Sequence, residues 1–311
     1  MNLTTNSGAT IALSSLEHLT TEEGAPIVYF TSKITPSALI DIYKVLDFHP
    51  TGKIGIKMST GEPPASNYLR PALIGELVQM LGGTIVECNT AYDGQRRSTD
   101  PHLEVIKDHG FYDIADVQIQ DADGDMTLPI AGGQVIHENY VGAAFADYGS
   151  YLALSHFKGH IMAGFGGAVK NISIGFASSE GKMHIHSGGT GWENIWTAPQ
   201  HVFCGAMADA AKSVSDYLDG GARITYINVM NRLSIDCDCD GHPHEPEIAD
   251  IGILSSHDPV ALDQACIDLV WNSEGRQSFV ERVEKQQGLY TLEAAEKIGL
   301  GSRNYRLEII D

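Results

Sequence analysis

Short apolar runs alternate with amphipathic helical patterns in the first third of the chain. The apolar runs predict buried strands over residues 26–31, 53–58 and 84–87. The helical patterns predict helices over residues 36–46, 71–81 and 101–109. Strands and helices that alternate through short loops are typical of βαβ units, so we expect a largely parallel sheet.

The same alternation returns in the second half of the chain. It predicts strands over residues 151–155, 223–230, 248–254 and 305–310. It predicts helices over residues 199–218 and 258–271, with two short helices before the last strand. We therefore expect an α/β fold of two lobes, with largely parallel or mixed sheets flanked by helices. The pattern weakens between the two halves, and the predicted lobes are residues 1–140 and 141–311.

Composition and charge narrow the class of protein. Of the 311 residues, 43% are apolar and 19% are charged, as in ordinary globular proteins. The formal net charge of -20 argues against nucleic acid as a partner, because phosphate backbones are bound by clustered Lys and Arg. No apolar run approaches the roughly 18 residues of a membrane span, and the N-terminus lacks the features of a secretion signal. We expect a cytoplasmic protein with no membrane partner, and a homo-oligomer, although no motif specifies one.

Two polar loops follow predicted strands of the first half. They are Ser59–Gly61, which consists of Ser59, Thr60 and Gly61, and residues 89–97. Ligands collect at the carboxyl ends of strands in α/β sheets, so both loops are candidate binding sites. Neither matches a phosphate-binding fingerprint, and a simple turn is the alternative for each.

Four histidines lie in the stretch from residue 155 to 186. His156 and His160 are four residues apart, which suits a shared metal on a helix, although a loop is equally compatible with their neighbours. His184 and His186 are two apart, which on an extended segment points both imidazoles the same way. Any one of them alone is more often structural, but together they are candidate ligands for one ion.

A glycine-rich loop lies between these two histidine pairs. Gly166 and Gly167 precede a predicted helix that carries Lys170 and Asn171. Such a loop exposes backbone N–H groups at a helix N-terminus and can bind a phosphate or carboxylate. Lys170 would add a positive charge or act as a nucleophilic amine. A tight turn with a solvated lysine is the alternative.

A second concentration of potential ligands, DCDCDGHPH, occupies residues 236–244. Cys237, Cys239 and His242 are candidate ligands for a transition metal, but the spacing is not that of a zinc knuckle. An acidic surface loop with incidental cysteines is the alternative. The chain has five cysteines, an odd and scattered set, which favours reduced thiols over a disulfide framework.

Several long motifs resemble one family. They are KGHIMAGFGGAVKN, KMHIHS, INVMNRLSIDCDCDGHP and DIGILSSHDPVALDQACIDLV. Together they look like the family called domain of unknown function 362, and the resemblance extends over most of the chain. Many members carry an inserted ferredoxin segment with iron–sulfur clusters. Here residues 212–224 run directly from helix to strand without cysteines, so a ferredoxin-type cluster is not expected.

The order of residues is also distantly similar to lactate racemase and its relatives, which hold a nickel-pincer nucleotide on a lysine. This resemblance implies that Lys170 anchors or contacts a cofactor, that His186 ligates metal and that His160 moves a proton. The racemases have a further histidine after the early βαβ region. Here the corresponding loop offers Arg96 and Arg97, either of which would hold a substrate carboxylate.

These observations favour a metal-dependent or metal-cofactor enzyme that acts on a small anionic organic substrate in a cleft between the lobes. An isomerase-like or oxidoreductase-like reaction is expected, with nickel, zinc and iron all open and a nucleotide-derived cofactor as a further expectation. One alternative is a redox protein that uses flavin or an external iron–sulfur protein as electron-transfer partner. The other is a metal-binding protein without enzymatic activity.

Overall fold

The structure is a computed structural model that describes residues 2–311. In this range the strands are β1 (Asn2–Thr4), β2 (Thr10–Ala12), β3 (Ile27–Thr31), β4 (Ile54–Lys57), β5 (Thr84–Glu87), β6 (Val117–Ile119), β7 (Asp125–Pro129), β8 (Glu138–Gly142), β9 (Ser150–His156), β10 (Lys158–His160), β11 (Gly164–Gly166), β12 (Ile224–Met230), β13 (Gly252–Ser256) and β14 (Arg306–Ile309). The α-helices are α1 (Pro36–Lys44), α2 (Pro71–Leu81), α3 (Thr99–Asp108), α4 (Ala168–Ser173), α5 (Ser179–His186), α6 (Gln200–Tyr217), α7 (Pro259–Trp271), α8 (Gln277–Lys285) and α9 (Leu289–Lys297).

One eight-stranded sheet organises the fold, in the order β14-β3-β13-β12-β9-β4-β5-β6. All of its strands run in the same direction except β13, which is antiparallel to both β3 and β12. The central strands β9 and β12 are buried along their whole length. These features confirm the predicted α/β fold with a largely parallel sheet.

Helices cover both faces of this sheet. Leu152 and Leu154 of β9 belong to one apolar core, which includes residues of α1, α2 and α3. Tyr151 and Ala153, which point the opposite way, belong to a second core with residues of α4, α6 and α7. Burial on both faces explains why the central strands are continuous apolar runs rather than alternating ones. Complete burial of one leucine side chain contributes about 2 kcal/mol to such a core.

The sheet takes strands from both sides of the predicted lobe boundary. β3 to β6 precede residue 140, whereas β9 and β12 to β14 follow it, and β4 pairs directly with β9. The boundary itself falls inside β8, which forms a hairpin with β7. The division into two lobes stays a prediction.

Several parts of the element pattern differ from expectation, among them the short strands β1, β2, β6, β7, β8, β10 and β11, which the apolar pattern does not predict. The strand predicted over residues 248–254 begins later, at Gly252. Before this strand, Ile248 pairs with Leu233 in an isolated bridge instead. Helix α5 was not predicted, since its sequence SEGKMHIH has no apolar stripe; it begins where the Ser178 hydroxyl accepts a hydrogen bond from the Gly181 N–H. None of the helices in residues 2–311 is both long and apolar enough to span a membrane.

Candidate functional site

A cavity of about 300 Å³ opens where parallel strands end. Lys57 ends β4, Glu87 ends β5 and His156 ends β9, and all three side chains line it. Because these strands are parallel neighbours, their carboxyl ends meet at one edge of the sheet, where α/β proteins bind ligands.

Most of the predicted site residues line this cavity. They are Ser59, Arg96, His156, His160, Gly166, Gly167, Lys170, Asn171, His186, Cys237 and Cys239. The DCDCDG loop therefore faces the histidine-rich stretch. The predicted residues that do not line the cavity are Thr60, Gly61, Arg97, His184 and His242.

Lysines from four different elements reach the cavity. Lys57 lies on β4, Lys158 on β10, Lys170 on α4 and Lys182 on α5. Lys158 forms an ion pair with Asp238, at 2.9 Å. In the described part of the chain, no carboxylate lies within 4.0 Å of the amines of the other three. Three amines without a carboxylate partner in one cavity of a strongly acidic protein create, when they are protonated, a local preference for an anion.

Burial shifts the pKa values of two of these amines. Desolvation lowers the pKa of Lys57 to about 8, although Glu87 acts in the opposite direction. The pKa of Lys170 falls to about 7, because it is desolvated and because the charge of Lys158 is near. Both amines therefore exchange a proton close to neutral pH, as groups in functional sites often do.

His186 presents one free nitrogen to the cavity. Its Nδ1–H donates to the backbone oxygen of Lys182, at 2.7 Å, so the lone pair lies on Nε2. The ring stacks on Phe203, with 4.6 Å between ring centroids. Burial lowers its pKa to about 4, which keeps the imidazole neutral. A neutral, oriented imidazole can accept a proton or ligate a metal.

His160 has the opposite arrangement. Its Nδ1 accepts hydrogen bonds from the N–H groups of Met162, at 3.1 Å, and Ala163, at 2.9 Å. Burial, followed by the nearby charge of Lys170, holds the pKa of His160 well below its ordinary value. In the neutral ring the hydrogen is therefore on Nε2, which makes His160 a hydrogen-bond donor towards the cavity.

His156 lies between two acceptors. Its Nδ1 is 2.7 Å from Asp238 Oδ1, and its Nε2 is 2.6 Å from the backbone oxygen of Asn231. Neither nitrogen is free for a metal in this arrangement, contrary to the predicted role. Burial would raise the pKa of Asp238, but Lys158 and His156 hold it well below its usual range. His156 thus anchors the loop that contains the two cysteines.

Cys237 and Cys239 form a disulfide. The expectation of five reduced thiols is therefore wrong for this pair, whereas Cys88, Cys204 and Cys266 are free and buried. These two cysteines are only two residues apart, and such a pair does not show the cysteine spacing from which a disulfide framework is recognised in a sequence. The two sulfurs and a nitrogen of His160 lie within 4.8 Å of one another, but sulfurs that are joined in a disulfide are not thiolates and would ligate a metal only after reduction.

Arg96 lines the cavity but is already engaged. Its Nε donates to Glu62 Oε2 at 2.7 Å, a second nitrogen donates to the Tyr92 hydroxyl at 2.9 Å, and a third lies 3.7 Å from Glu87. Glu87 also accepts from the Thr60 hydroxyl, at 2.7 Å. Arg97 is exposed and pairs with Asp93. Of the two arginines predicted to hold a substrate carboxylate, only Arg96 lines the cavity.

The N-terminus of α4 holds a carboxylate of the protein itself. Asp263 accepts hydrogen bonds from the N–H groups of Ala168, at 2.7 Å, and Val169, at 2.9 Å. A Cβ at Gly167 would lie 2.2 Å from Asp263, so glycine is required for this approach. The helix N-terminus that we predicted to bind an external anion is thus already occupied. Gly166 and Gly167 contribute cavity wall instead.

The two remaining histidine candidates point elsewhere. The segment of His184 and His186 is helical rather than extended, so the prediction that both face one way is wrong. The His184 ring packs against Tyr140, with 5.0 Å between ring centroids. His242 is exposed on the surface.

Asn171, a predicted site residue, belongs to the polar wall of the cavity. The Asn171 amide donates to the Lys57 oxygen and to the Ser155 hydroxyl, at 3.0 Å each, which ties α4 to the strand ends. Three further residues of this wall, Lys57, Lys158 and Lys182, are not singled out by the sequence pattern. A charged residue closing an otherwise apolar run, as Lys57 does, was the available signal.

The mouth of the cavity is apolar. Ile161 and Trp196 are 62% and 69% exposed there, beside Met162 and Ile195. The cavity thus combines cationic inner walls with an apolar entrance. This combination is typical of sites for small organic ligands that carry a charged group.

Comparison with solved structures found chains of distantly similar fold. The lactate racemase apoprotein from Thermoanaerobacterium thermosaccharolyticum is 17% identical, with a TM-score of 0.38; the match covers 74% of this chain and 55% of that chain. A protein from Thermotoga maritima is 12% identical, with a TM-score of 0.41; the match covers 84% of this chain and 58% of that one. The chain spans little more than half of either protein.

Comparison with curated proteins found no match. The family model described as "Domain of unknown function (DUF362)" matches residues 54–268, in agreement with the motifs that suggested this family. The matched region includes β4, β5, β9 and the DCDCDG loop, and therefore the cavity walls. Because the match extends over more than half of the chain, the protein belongs to the DUF362 family.

Proposed function

We propose that the protein is an enzyme that binds a small organic anion in the lysine-lined cavity and moves a proton on it. The observation that carries this proposal is the set of three amines, Lys57, Lys170 and Lys182, that share one cavity without a carboxylate partner. Buried cations are costly unless they are paired. A carboxylate or phosphate of the substrate would supply that pairing.

Proton transfer is supported by the two histidines that face the cavity with opposite tautomers. Nε2 of His186 carries a lone pair and is suited to accept a proton, whereas Nε2 of His160 carries a hydrogen that the neutral ring can donate in a hydrogen bond to negative charge developing on the substrate. A base and a hydrogen-bond donor on two walls of one cavity match the needs of an isomerisation through proton abstraction. Lys170 lies on a third element, α4, and would hold the anionic group.

A metal ion or metal cofactor belongs to the proposal as the alternative use of the His186 lone pair, since an imidazole that holds a metal through Nε2 cannot accept a proton there. Nε2 of His186 is free, and its Nδ1–H donates to a carbonyl, which is the arrangement common among metal-bound histidines. When bound, the metal would supply a Lewis acid beside the substrate. The residues of this chain would orient the anion, exclude water at the apolar mouth and handle the proton.

Anion binding can be tested by calorimetry with small mono- and dicarboxylates and phosphate monoesters as probes. At least one probe should bind to the wild-type protein, and Lys170→Met should weaken that binding by about tenfold or more, because it removes a charge-assisted contact. Lys212→Met is the matched control, since that lysine pairs with Asp216 on the surface of α6. Equal affinities of the two variants, or no binding of any probe to the wild type, contradict the proposal.

The metal can be tested separately. Elemental analysis of protein purified without a histidine tag should find nickel, zinc or iron, and His186→Ala should lower the content. His201→Ala, an exposed histidine on α6, should not. The intact mass of the same sample reports any covalent cofactor, which we expect on Lys170. Metal-free wild-type protein that gains none on reconstitution removes the metal from the proposal and leaves the anion site standing.

A further inference from the structure

The disulfide lies in the wall of the cavity rather than in the scaffold. Cys237 is buried and Cys239 is half-buried, and both line the cavity. A bridge between residues two apart closes only a very small loop, so it constrains little of the unfolded chain. Its position beside a ligand cavity points to chemistry more than to stability.

Each sulfur has an N–H donor directed at it. The backbone N–H of Cys239 donates to Cys237 Sγ, at 3.2 Å. Nε2 of His160 lies 3.9 Å from Cys239 Sγ and carries the hydrogen of the neutral ring, because Nδ1 accepts from Met162 and Ala163. Hydrogen bonds of this kind stabilise the thiolate that forms when a disulfide opens.

The tautomer of His160 decides between a metal site and a thiol site. A metal bound through Nε2 would have to displace its hydrogen while Nδ1 still accepted two N–H groups. Metal-bound histidines have the reverse arrangement, with the second nitrogen donating. As placed here, His160 is therefore suited to support sulfur chemistry.

The surrounding structure holds this geometry. The Gly159 N–H donates to the Ser234 oxygen at 2.8 Å, and a Cβ at Gly159 would lie 2.3 Å from the Ile235 oxygen. Between the cysteines, Asp238 is fixed by His156 and Lys158. Strand β10 and the cysteine loop are thus tied together on both sides of His160.

We propose that Cys237 and Cys239 are a redox-active pair that exchanges two electrons with dithiols entering the cavity, with His160 as the proton-bearing partner of Cys239. This activity goes beyond the proposed acid–base function, and it requires neither a metal nor a substrate anion.

The exchange balances with a dithiol as reductant. One of its thiolates attacks Cys239 Sγ, the more accessible sulfur; the Cys237–Cys239 bond breaks and Cys237 leaves as a thiolate beside the Cys239 N–H. The second thiolate of the reductant then attacks the other sulfur of the reductant, which is the one bonded to Cys239 in the mixed disulfide. Cys239 leaves as a thiolate beside the His160 N–H, and the reductant becomes a disulfide. Two electrons pass from the dithiol to the cysteine pair, and the two protons that the dithiol releases when it forms its thiolates return from solvent to the two cysteine thiolates.

The test is native alkylation with iodoacetamide, followed by peptide mass spectrometry, on the 311-residue chain titrated with reduced and oxidised dithiothreitol. We expect both Cys237 and Cys239 to become labelled as the share of reduced dithiothreitol rises, with the dependence of a two-electron reduction. The reduction should be reversed by oxidised dithiothreitol added before alkylation. Cys204 and Cys266 should stay unlabelled, because they are buried and do not line the cavity, and Cys88 should stay unlabelled because burial raises the pKa of its thiol to about 12. This readout depends on neither anion binding nor metal content, so its failure is distinguishable from failure of the proposed enzyme function.

Variants of His160 separate its role from simple packing. His160→Asn keeps an acceptor at the Nδ1 position but has no donor towards Cys239, so reduction by dithiothreitol should slow by about tenfold or more. His160→Gln, which places an amide N–H at the Nε2 position, should restore part of the rate. His242→Asn, an exposed histidine in the same loop, should reduce at the wild-type rate.

A second comparison applies even if the His160 variants do not fold. In Cys237→Ser, the accessible Cys239 should form a mixed disulfide with oxidised glutathione faster than Cys237 does in Cys239→Ser. Four results would overturn the proposal: no bridge in the purified protein, a bridge that dithiothreitol leaves intact, equal rates for the two serine variants, or a wild-type rate in folded His160→Asn.

Discussion

At the scale of single residues, the surroundings of Lys57 are one reason why we propose an anion site. It is 2% exposed, and its amine donates to the backbone oxygen of Met58 at 2.7 Å. A carbonyl stabilises an ammonium less than a carboxylate does, so burial dominates and lowers the pKa of Lys57 to about 8. A bound anion would favour the charged amine, so a Lys57 amine that was neutral would take up a proton when the anion binds.

This coupling predicts how anion affinity depends on pH. The charged amine binds the anion, and the amine loses its proton as pH rises through about 8. The affinity for the anion should therefore fall between pH 7 and pH 9. If one proton is taken up on binding, the decrease approaches tenfold per pH unit. Calorimetry in two buffers of different ionisation enthalpy measures that uptake. In Lys57→Met this part of the pH dependence should be absent; an unchanged profile would assign the effect to another group.

Sequence reasoning identified part of the site at this scale. The sequence favours His160, Lys170 and His186 because the residue pattern and the distant resemblance to lactate racemase agree on these three. The tautomers of the two histidines depend on N–H and C=O groups that only the folded backbone brings near. Asp263 is far along the chain from the helix end that it occupies, and nothing in a linear pattern connects the two.

At the scale of elements, α4 depends on that carboxylate. Asp263 accepts from the Ala168 and Val169 N–H groups and from the Asn228 amide, the last at 2.7 Å. Burial raises the pKa of Asp263 to about 6, so a neutral side chain of the same shape should be tolerated better than a truncated one.

We therefore predict an ordered pair of variants. Asp263→Ala should lose about 3 kcal/mol of unfolding free energy, because it leaves buried donors without acceptors, and Asp263→Asn about 1 kcal/mol. Asp263→Ala should also weaken anion binding, since Lys170 lies on the first turn of α4. Urea unfolding measures the stabilities, with Asp216→Ala on the surface of α6 as control. Equal losses for the two Asp263 variants would show that the charge, and not the hydrogen bonding, matters.

At the scale of the whole molecule, the parallel sheet was predictable because its strands are buried on both faces and its helices are amphipathic. The strand order was not. β13 has the same apolar pattern as its parallel neighbours, yet it runs antiparallel to them. β3, from the first part of the chain, inserts between β14 and β13. Period and length indicate that a strand exists, whereas its neighbours are decided by packing across the whole sheet.

Glu87 links this sheet to the pH dependence of stability. Burial alone would raise its pKa, but Lys57, Arg96 and His102, with the Thr60 hydrogen bond, lower it to about 2 from 4.5. A carboxyl with a lowered native pKa stabilises the fold above its unfolded pKa and loses that contribution as pH falls. We expect the ionised Glu87 to contribute about 3 kcal/mol to the free energy of unfolding above pH 4.5. This contribution should be lost as pH falls from about 4.5 to about 2.

Urea unfolding at a series of pH values checks this expectation. The difference between the wild type and Glu87→Gln should be largest near neutral pH and should shrink below pH 4.5. Glu76→Gln, on the exposed face of α2, should follow the wild type throughout. A difference that stays constant down to pH 3 would place the cost of Glu87→Gln in packing rather than in ionisation.

The apolar mouth of the cavity has an optical consequence. The chain has three tryptophans, of which Trp192 and Trp196 are 73% and 69% exposed, and Trp196 lines the cavity. Trp271, at the end of α7, packs against the main core. Trp196 is thus the indole whose surroundings change when a ligand displaces water from the entrance. The protein carries its own fluorescent reporter of cavity occupancy, so ligands can be screened without attaching a dye.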